Sequence, residues 1–318
     1  MERRAGVLTQ FVALSLVWGA SFLFIKVGLE GLSPAQVVLG RLLTGAIALL
    51  VVAAVTRQRL PRELVVWAHL AVLAVLLCVL PFTLFAWAEQ RVPSGLASIY
   101  NATTPLMTMA VALVALPGER LTRSKLAGLL AGFVGVLVVL GPWRGLTGGQ
   151  GWAQAACLLA TLSYGVSFVY LRRYVSPRGL PAVQVATVQV GLGAVLALLL
   201  APFTATAPIQ LTWRVALSIT ALGVLGTGLA YVWNTNVVAG WGATNASTVT
   251  YLTPIVGVAL GIALLGEAIS WNEPVGALVV VLGIAISQGR LQRRRTTQSR
   301  TTQSRTTQES GRSSRQGH

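Results

Sequence analysis

Polar residues in this chain fall in short clusters, and between them run apolar stretches of about 20 residues, the length a helix needs to cross the hydrocarbon of a bilayer. The pattern predicts spans near Leu8–Leu29, Pro34–Val55, Leu64–Ala88, Ser94–Leu116 and Ser124–Gly141. A second group follows near Gly151–Leu171, Leu180–Ala201, Trp213–Asn236, Gly242–Leu265 and Trp271–Gly289. The expected fold is an all-α integral membrane protein of ten transmembrane helices with a polar tail. The first apolar run continues to Leu29 without a small-residue cleavage site, so it is read as a retained helix and not as a signal peptide.

One stretch of the pattern returns. Ser94–Thr122 and Gly242–Ser270 both carry Ala-Ser, then Thr-Pro, then an apolar run of small residues, then Gly-Glu. Thr104-Pro105 corresponds to Thr253-Pro254, and Gly118-Glu119 to Gly266-Glu267. Trp18-Gly19-Ala20-Ser21-Phe22 likewise lines up with Tyr164-Gly165-Val166-Ser167-Phe168, and Gly45-Ala46-Ile47 with Gly193-Ala194-Val195. A near-constant offset through several segments predicts a duplicated unit. The halves are then residues 1–141 and 151–289, joined by a glycine-rich linker at 142–150, with a tail at 290–318.

Charge placement sets the orientation. Basic residues cluster at Arg3 and Arg4, at Arg57, Arg59 and Arg62, at Arg120, Arg123 and Lys125, at Arg172, Arg173 and Arg178, and from Arg290 onward; the alternate loops hold only Arg91, Arg144 and Arg214. Positive residues are retained on the cytoplasmic side, so both termini are expected there. Five spans per half then make the two repeats inverted, with Glu119 inside and Glu267 outside.

Composition agrees: 54% of the 318 residues are hydrophobic and 10% charged, too little polar surface to coat a soluble globule. The net charge of +16 comes from helix ends and the tail, which points to the bilayer and not to nucleic acid. The tail, with its RTTQS repeats, lacks the apolar residues for a core and is expected to be disordered. It either contacts anionic lipid headgroups or serves only to hold topology.

Trp-Gly-x-Ser-Phe in the first helix, an arginine early in the second, and Gly-Glu turns after the fourth and ninth helices together resemble the EamA-type branch of the drug/metabolite transporter superfamily. The resemblance covers about residues 7–289. It implies a carrier of the bacterial inner membrane with two inverted five-helix repeats, moving small metabolites such as amino acids, often outward.

Several residues are candidates for a substrate path. Pro105 cannot donate to the Asn101 carbonyl, nor Pro254 to that of Thr250, and broken helices at matching places in two repeats point to a site near the midplane. Tyr100, Asn101, Thr104, Thr250, Tyr251 and Thr253 surround these prolines; the alternative is a packing kink repaired by Thr hydroxyls. Arg41 lies about 10 Å into the second helix, deep enough to meet a substrate carboxylate, or else to pair with Glu89 or Glu30 or to snorkel. Its repeat counterpart is Gln189. Trp18, Phe22, Tyr164, Phe168, Tyr231 and Trp233 offer an aromatic lining, with Ser21, Ser167 and Asn234 as hydrogen-bonding groups. Lys26 is expected to snorkel.

The chain has no Asp, its eight Glu lie at helix ends, in loops or in the termini, and Cys78 and Cys157 fall in apolar runs. No catalytic, metal or cofactor constellation follows from this, and no Walker-type motif is present. Without a carboxylate inside a span, the expectation is a facilitator, or a carrier coupled through its substrate or through His69. The leading reading is a secondary transporter working by alternating access. A membrane scaffold or sensor acting through the basic tail is the second.

Overall fold

The computed structural model describes residues 2–116, 119–144, 149–241 and 249–287, all of whose regular structure is helical. Gly118, the segment 242–248 and the tail after residue 287 therefore lie outside the described residues, as does part of the linker.

The first helix, α1, is Glu2–Gly28 and α2 is Pro34–Val55. Here Pro34 takes the first helical position, Ser33 Oγ accepts from the Gln36 amide at 3.4 Å, and Gln36 Oε1 accepts from the Ser33 amide at 2.8 Å. This reciprocal cap satisfies two amide donors that the helix itself cannot. Helix α3, Leu64–Ala88, passes through a π-helical stretch at Ala74–Val79 just before Pro81. Next come α4 (Ser94–Asn101) and α5 (Thr104–Ala115), then α6 (Arg123–Leu140), α7 (Gln150–Tyr170) and α8 (Ala182–Thr204). Helix α9 begins as Trp213–Gly223 and continues through a π-helical stretch, Val224–Leu229, into Ala230–Trp241. Helices α10 (Val249–Leu265) and α11 (Asn272–Ser287) complete the described chain.

Among the described residues, eight helical segments, with α4 and α5 taken together, are long and apolar enough to cross a membrane; α10 and α11 are apolar but shorter, at 17 and 16 residues. Large apolar side chains such as Val114, Leu64 and Phe203 face outward, as they do where lipid is the solvent.

The two Thr-Pro sequences behave differently. Between α4 and α5 the chain breaks at Ala102–Thr103, and Thr103 and Thr104 hydroxyls donate back to the Tyr100 and Asn101 carbonyls, each at 2.7 Å. These bonds span three residues, so they tighten the turn while satisfying the carbonyl that Pro105 cannot reach. In α10 the Thr253 hydroxyl donates across four residues to Val249 at 2.9 Å, and the helix runs on through Pro254. The expectation of two interrupted helices is thus corrected: only the first is broken.

Packing relies on small residues. Helix α6 lies along α11, where a methyl on Gly135 would sit 2.7 Å from the Val280 nitrogen. Helix α2 packs on α8 and α9, and α1 on α9 and α10. On the other side, α7 packs on α3, α4 and α5, while α8 also meets α3.

Candidate functional site

Arg41 sits where α2 meets the Val224–Leu229 π-helical stretch of α9 and the Phe82 turn of α3. Its Nε donates to Thr227 Oγ1 of α9 at 3.1 Å, and its guanidinium carbon lies 3.5 Å from the centroid of the Phe82 ring of α3. Cys78, Tyr164 and Tyr231 lie within its electrostatic reach. Gln189 of α8 donates to the Tyr231 hydroxyl at 3.3 Å. A charge on an apolar helix is tolerated when it faces protein or a cavity in this way, and π-helical turns recur at functional positions because they displace side chains from the regular helical rows. Arg41 and Gln189 thus both lie close to Tyr231. Neither Glu89 nor Glu30 is its hydrogen-bonding partner; Glu30 instead lies 3.6 Å from Arg214.

The remaining candidate residues divide into neighbourhoods. Phe22 meets Phe85 edge to face at 5.4 Å, and Phe85 stacks over Tyr164 at 6.3 Å, which links α1 to the Arg41 centre through α3. Ser21 donates to Val17, and Ser167 to Tyr164, so both hydroxyls satisfy backbone inside their own helices. Tyr100 is fully buried, Asn101 half-buried, and the α4–α5 break is tied to α7 by a 3.2 Å bond from Thr103 to Thr161, one turn before Tyr164. Trp18 and Trp233 are set apart, packed on Phe11, Leu14 and Val249. Asn234 and Thr250 are half-buried, while Tyr251 packs toward Leu106 and Ile284. The candidates thus do not form one continuous wall; Arg41, Tyr164, Gln189 and Phe22 form its connected part.

Both ends of the helices are held by charge. At one, Lys26 donates to the carbonyl of Glu89 and, at 3.0 Å, to that of Val92, so it does not snorkel. Beside it, Glu267 accepts from the Ser94 amide at 2.6 Å and the Gly95 amide at 3.0 Å. Pro93, which precedes α4, has no side chain able to cap it, so a carboxylate from the far half of the chain supplies the missing acceptors and suits the positive end of the helix dipole. At the opposite end, Glu119 bonds Lys125 at 2.6 Å and Arg172 at 2.8 Å.

The Lys125 ammonium first, and then the Arg172 guanidinium, hold the Glu119 carboxyl below its ordinary range. A depressed carboxyl contributes stability above the unfolded value, about 4.3, and loses it as pH falls through the folded one. With the pair partly exposed, Glu119→Gln should cost about 1 kcal/mol or less at neutral pH. Thermal unfolding of the purified protein should separate the variant from wild type near pH 7, and the gap should close in acid.

His69 hydrogen-bonds the Tyr170 hydroxyl at 2.8 Å and stacks on Tyr174, away from the Arg41 centre. Sequence reasoning missed Phe82 and offered Glu89 only as a partner of Arg41. Phe82, directly after Pro81, carries the Arg41 guanidinium on its face. Glu89 ends a span as its position suggests, yet it is fully buried.

A family model described as the EamA-like transporter family matches residues 6–141 and again 151–288. Among curated proteins, the inner membrane transporter YedA of Escherichia coli K12 is 27% identical over 86% of this chain and 88% of its own. A probable amino-acid metabolite efflux pump of Salmonella typhimurium is 27% identical over 94% and 99%. A probable terminal-alkyne amino-acid exporter of Streptantibioticus cattleyicolor is 28% identical over 88% and 92%. One solved crystal structure shares the fold with a TM-score of 0.64 at 18% identity, covering 91% of this chain and 98% of that one.

Proposed function

Because this chain belongs to the EamA-like transporter family, we propose that it is a secondary exporter of small zwitterionic metabolites, amino acids or close relatives, in the bacterial inner membrane. Relatives named as amino-acid efflux pumps and exporters support that substrate class. The observation that carries the reading is the Arg41 centre. A guanidinium offers two parallel donors to a carboxylate, and the surrounding Phe82, Tyr164 and Tyr231 provide an amphipathic lining for the rest of a small molecule.

In this reading ten spans form two inverted repeats, residues 1–141 and 151–289, with both termini cytoplasmic, and the halves rock about the Arg41 centre. Packing supports the duplication. Exchanging each of the first five spans for its counterpart maps α2–α8 and α6–α11 onto themselves, and turns the contacts of α1 with α9 and α10 into those of α7 with α3, α4 and α5. The π-helical stretches of α3 and α9 fall at equivalent places, while a third, Leu171–Val175 after α7, has no such counterpart among the described residues. So do two glycine contacts: Gly19 of α1 lies against Thr253 and Val256, and Gly165 of α7 against Met107 and Thr108. Rocking would open the Lys26–Glu267 end outward and the Glu119 end inward by turns.

Amino acids in the medium of cells overexpressing the protein should exceed those from cells lacking it several-fold, with intracellular pools moving the other way. Indistinguishable media across the amino acids and their acylated or unsaturated relatives would remove the exporter reading.

A further inference from the structure

Glu89 is buried so completely that none of its surface is exposed, and neither oxygen of its carboxylate accepts a hydrogen bond among the described residues. Buried carboxylates are ordinarily hydrogen-bonded or ion-paired, because the charged form is costly outside water. Three charged groups face it, Lys26 from α1, Arg41 from α2 and Glu267 from beyond α10, and the Cys157 thiol faces it from α7. Each charge has its hydrogen bonds elsewhere. Lys26 donates to two backbone carbonyls, Arg41 to Thr227 while lying on Phe82, and Glu267 accepts from the first amides of α4.

A carboxylate in that position is stabilised by a proton or by a cation that arrives and leaves. We propose that Glu89 is a reversible proton-binding residue, for which the ammonium group of a transported molecule competes, so that outward movement of substrate is exchanged for inward movement of a proton. The inference rests on the exporter reading above. One carboxylate neutralised by one positive charge holds the proton or the ammonium group, not both, and that exclusion is what an exchanger requires. Arg41, within electrostatic reach of Glu89, remains available to the substrate's carboxylate. Lys26 and Glu267, which face Glu89, hold contacts that outward opening would part, Lys26 to the Glu89 and Val92 carbonyls and Glu267 to Ser94 and Gly95, giving the proton its route.

The full chain in proteoliposomes, loaded with labelled threonine, leucine or phenylalanine, tests this. An imposed gradient, acid on the side opposite the label, should accelerate release several-fold in wild type, keep doing so in Glu89→Asp and His69→Gln, and have no effect in Glu89→Gln. Infrared titration of the detergent-purified protein needs no substrate: the carboxylic-acid carbonyl band of wild type should contain a pH-dependent component that Glu89→Gln lacks. Release in wild type that ignores the gradient, or an infrared titration that Glu89→Gln leaves unaltered, would overturn the proton site while leaving the exporter reading intact. Absence of release for every labelled probe would count against the exporter reading, and the infrared result would still decide whether Glu89 takes up a proton.

Discussion

Replacing Arg41 by Gln is expected to lower transport roughly 10- to 100-fold while the protein still reaches the membrane. Hydrogen bonds to a charged group contribute about 1.5–3 kcal/mol, and each 1.4 kcal/mol is a factor of ten. Gln keeps a donor for Thr227, so the centre stays hydrogen-bonded and the loss falls on the charge. Arg41→Lys should be intermediate, since it retains the charge but not the planar fork or the stacking on Phe82. Initial rates of labelled amino-acid uptake, normalised to protein in the vesicles, check both. Equal rates for wild type and Arg41→Gln would remove Arg41 from the path.

Gly165→Val should be nearly as damaging for a different reason. A Cβ there would lie 2.8 Å from the Met107 carbonyl carbon and 2.9 Å from the Thr108 nitrogen, both backbone atoms that cannot swing aside. Overpacking of this kind costs about 1–3 kcal/mol, and the wedge falls between α7 and α5, next to the break that joins α4 to α5. Thermal stability should drop measurably, and transport should fall by more than the loss of folded protein explains. Gly191→Val is the control, because a Cβ there has no neighbour within 4 Å. A Gly165→Val protein that matched it in stability and rate would show that α7 and α5 are not closely apposed.

Much of the helical framework was legible in the sequence because membrane spans announce themselves through unbroken apolar length. Pro34–Val55 and Leu64–Ala88 begin and end where the polar clusters lie. The break at Pro105 was legible too, since proline and its flanking threonines act locally. The continuity of α10 through Pro254 was not, because it depends on whether a threonine bonds across three residues or four. Within the candidate site, the depth of Arg41 could be counted from Pro34, but its resting place on Phe82 and Thr227 could not: those groups lie on other helices. Glu89 is the sharper case. Its position at the end of an apolar run suggests a water-facing carboxylate, and it is buried among groups distant in sequence, Lys26, Arg41, Cys157 and Glu267. The cap of α4 by Glu267 is equally long-range, joining residues whose only sequence signal was a Gly-Glu pair far downstream.

Counterflow by the purified chain tests the central claim most directly. Proteoliposomes preloaded with unlabelled leucine, threonine or phenylalanine should take up the labelled compound to a transient excess over equilibrium, saturably, with the excess reduced by Arg41→Gln. Uptake that rises linearly with concentration and matches protein-free vesicles for every compound would contradict it.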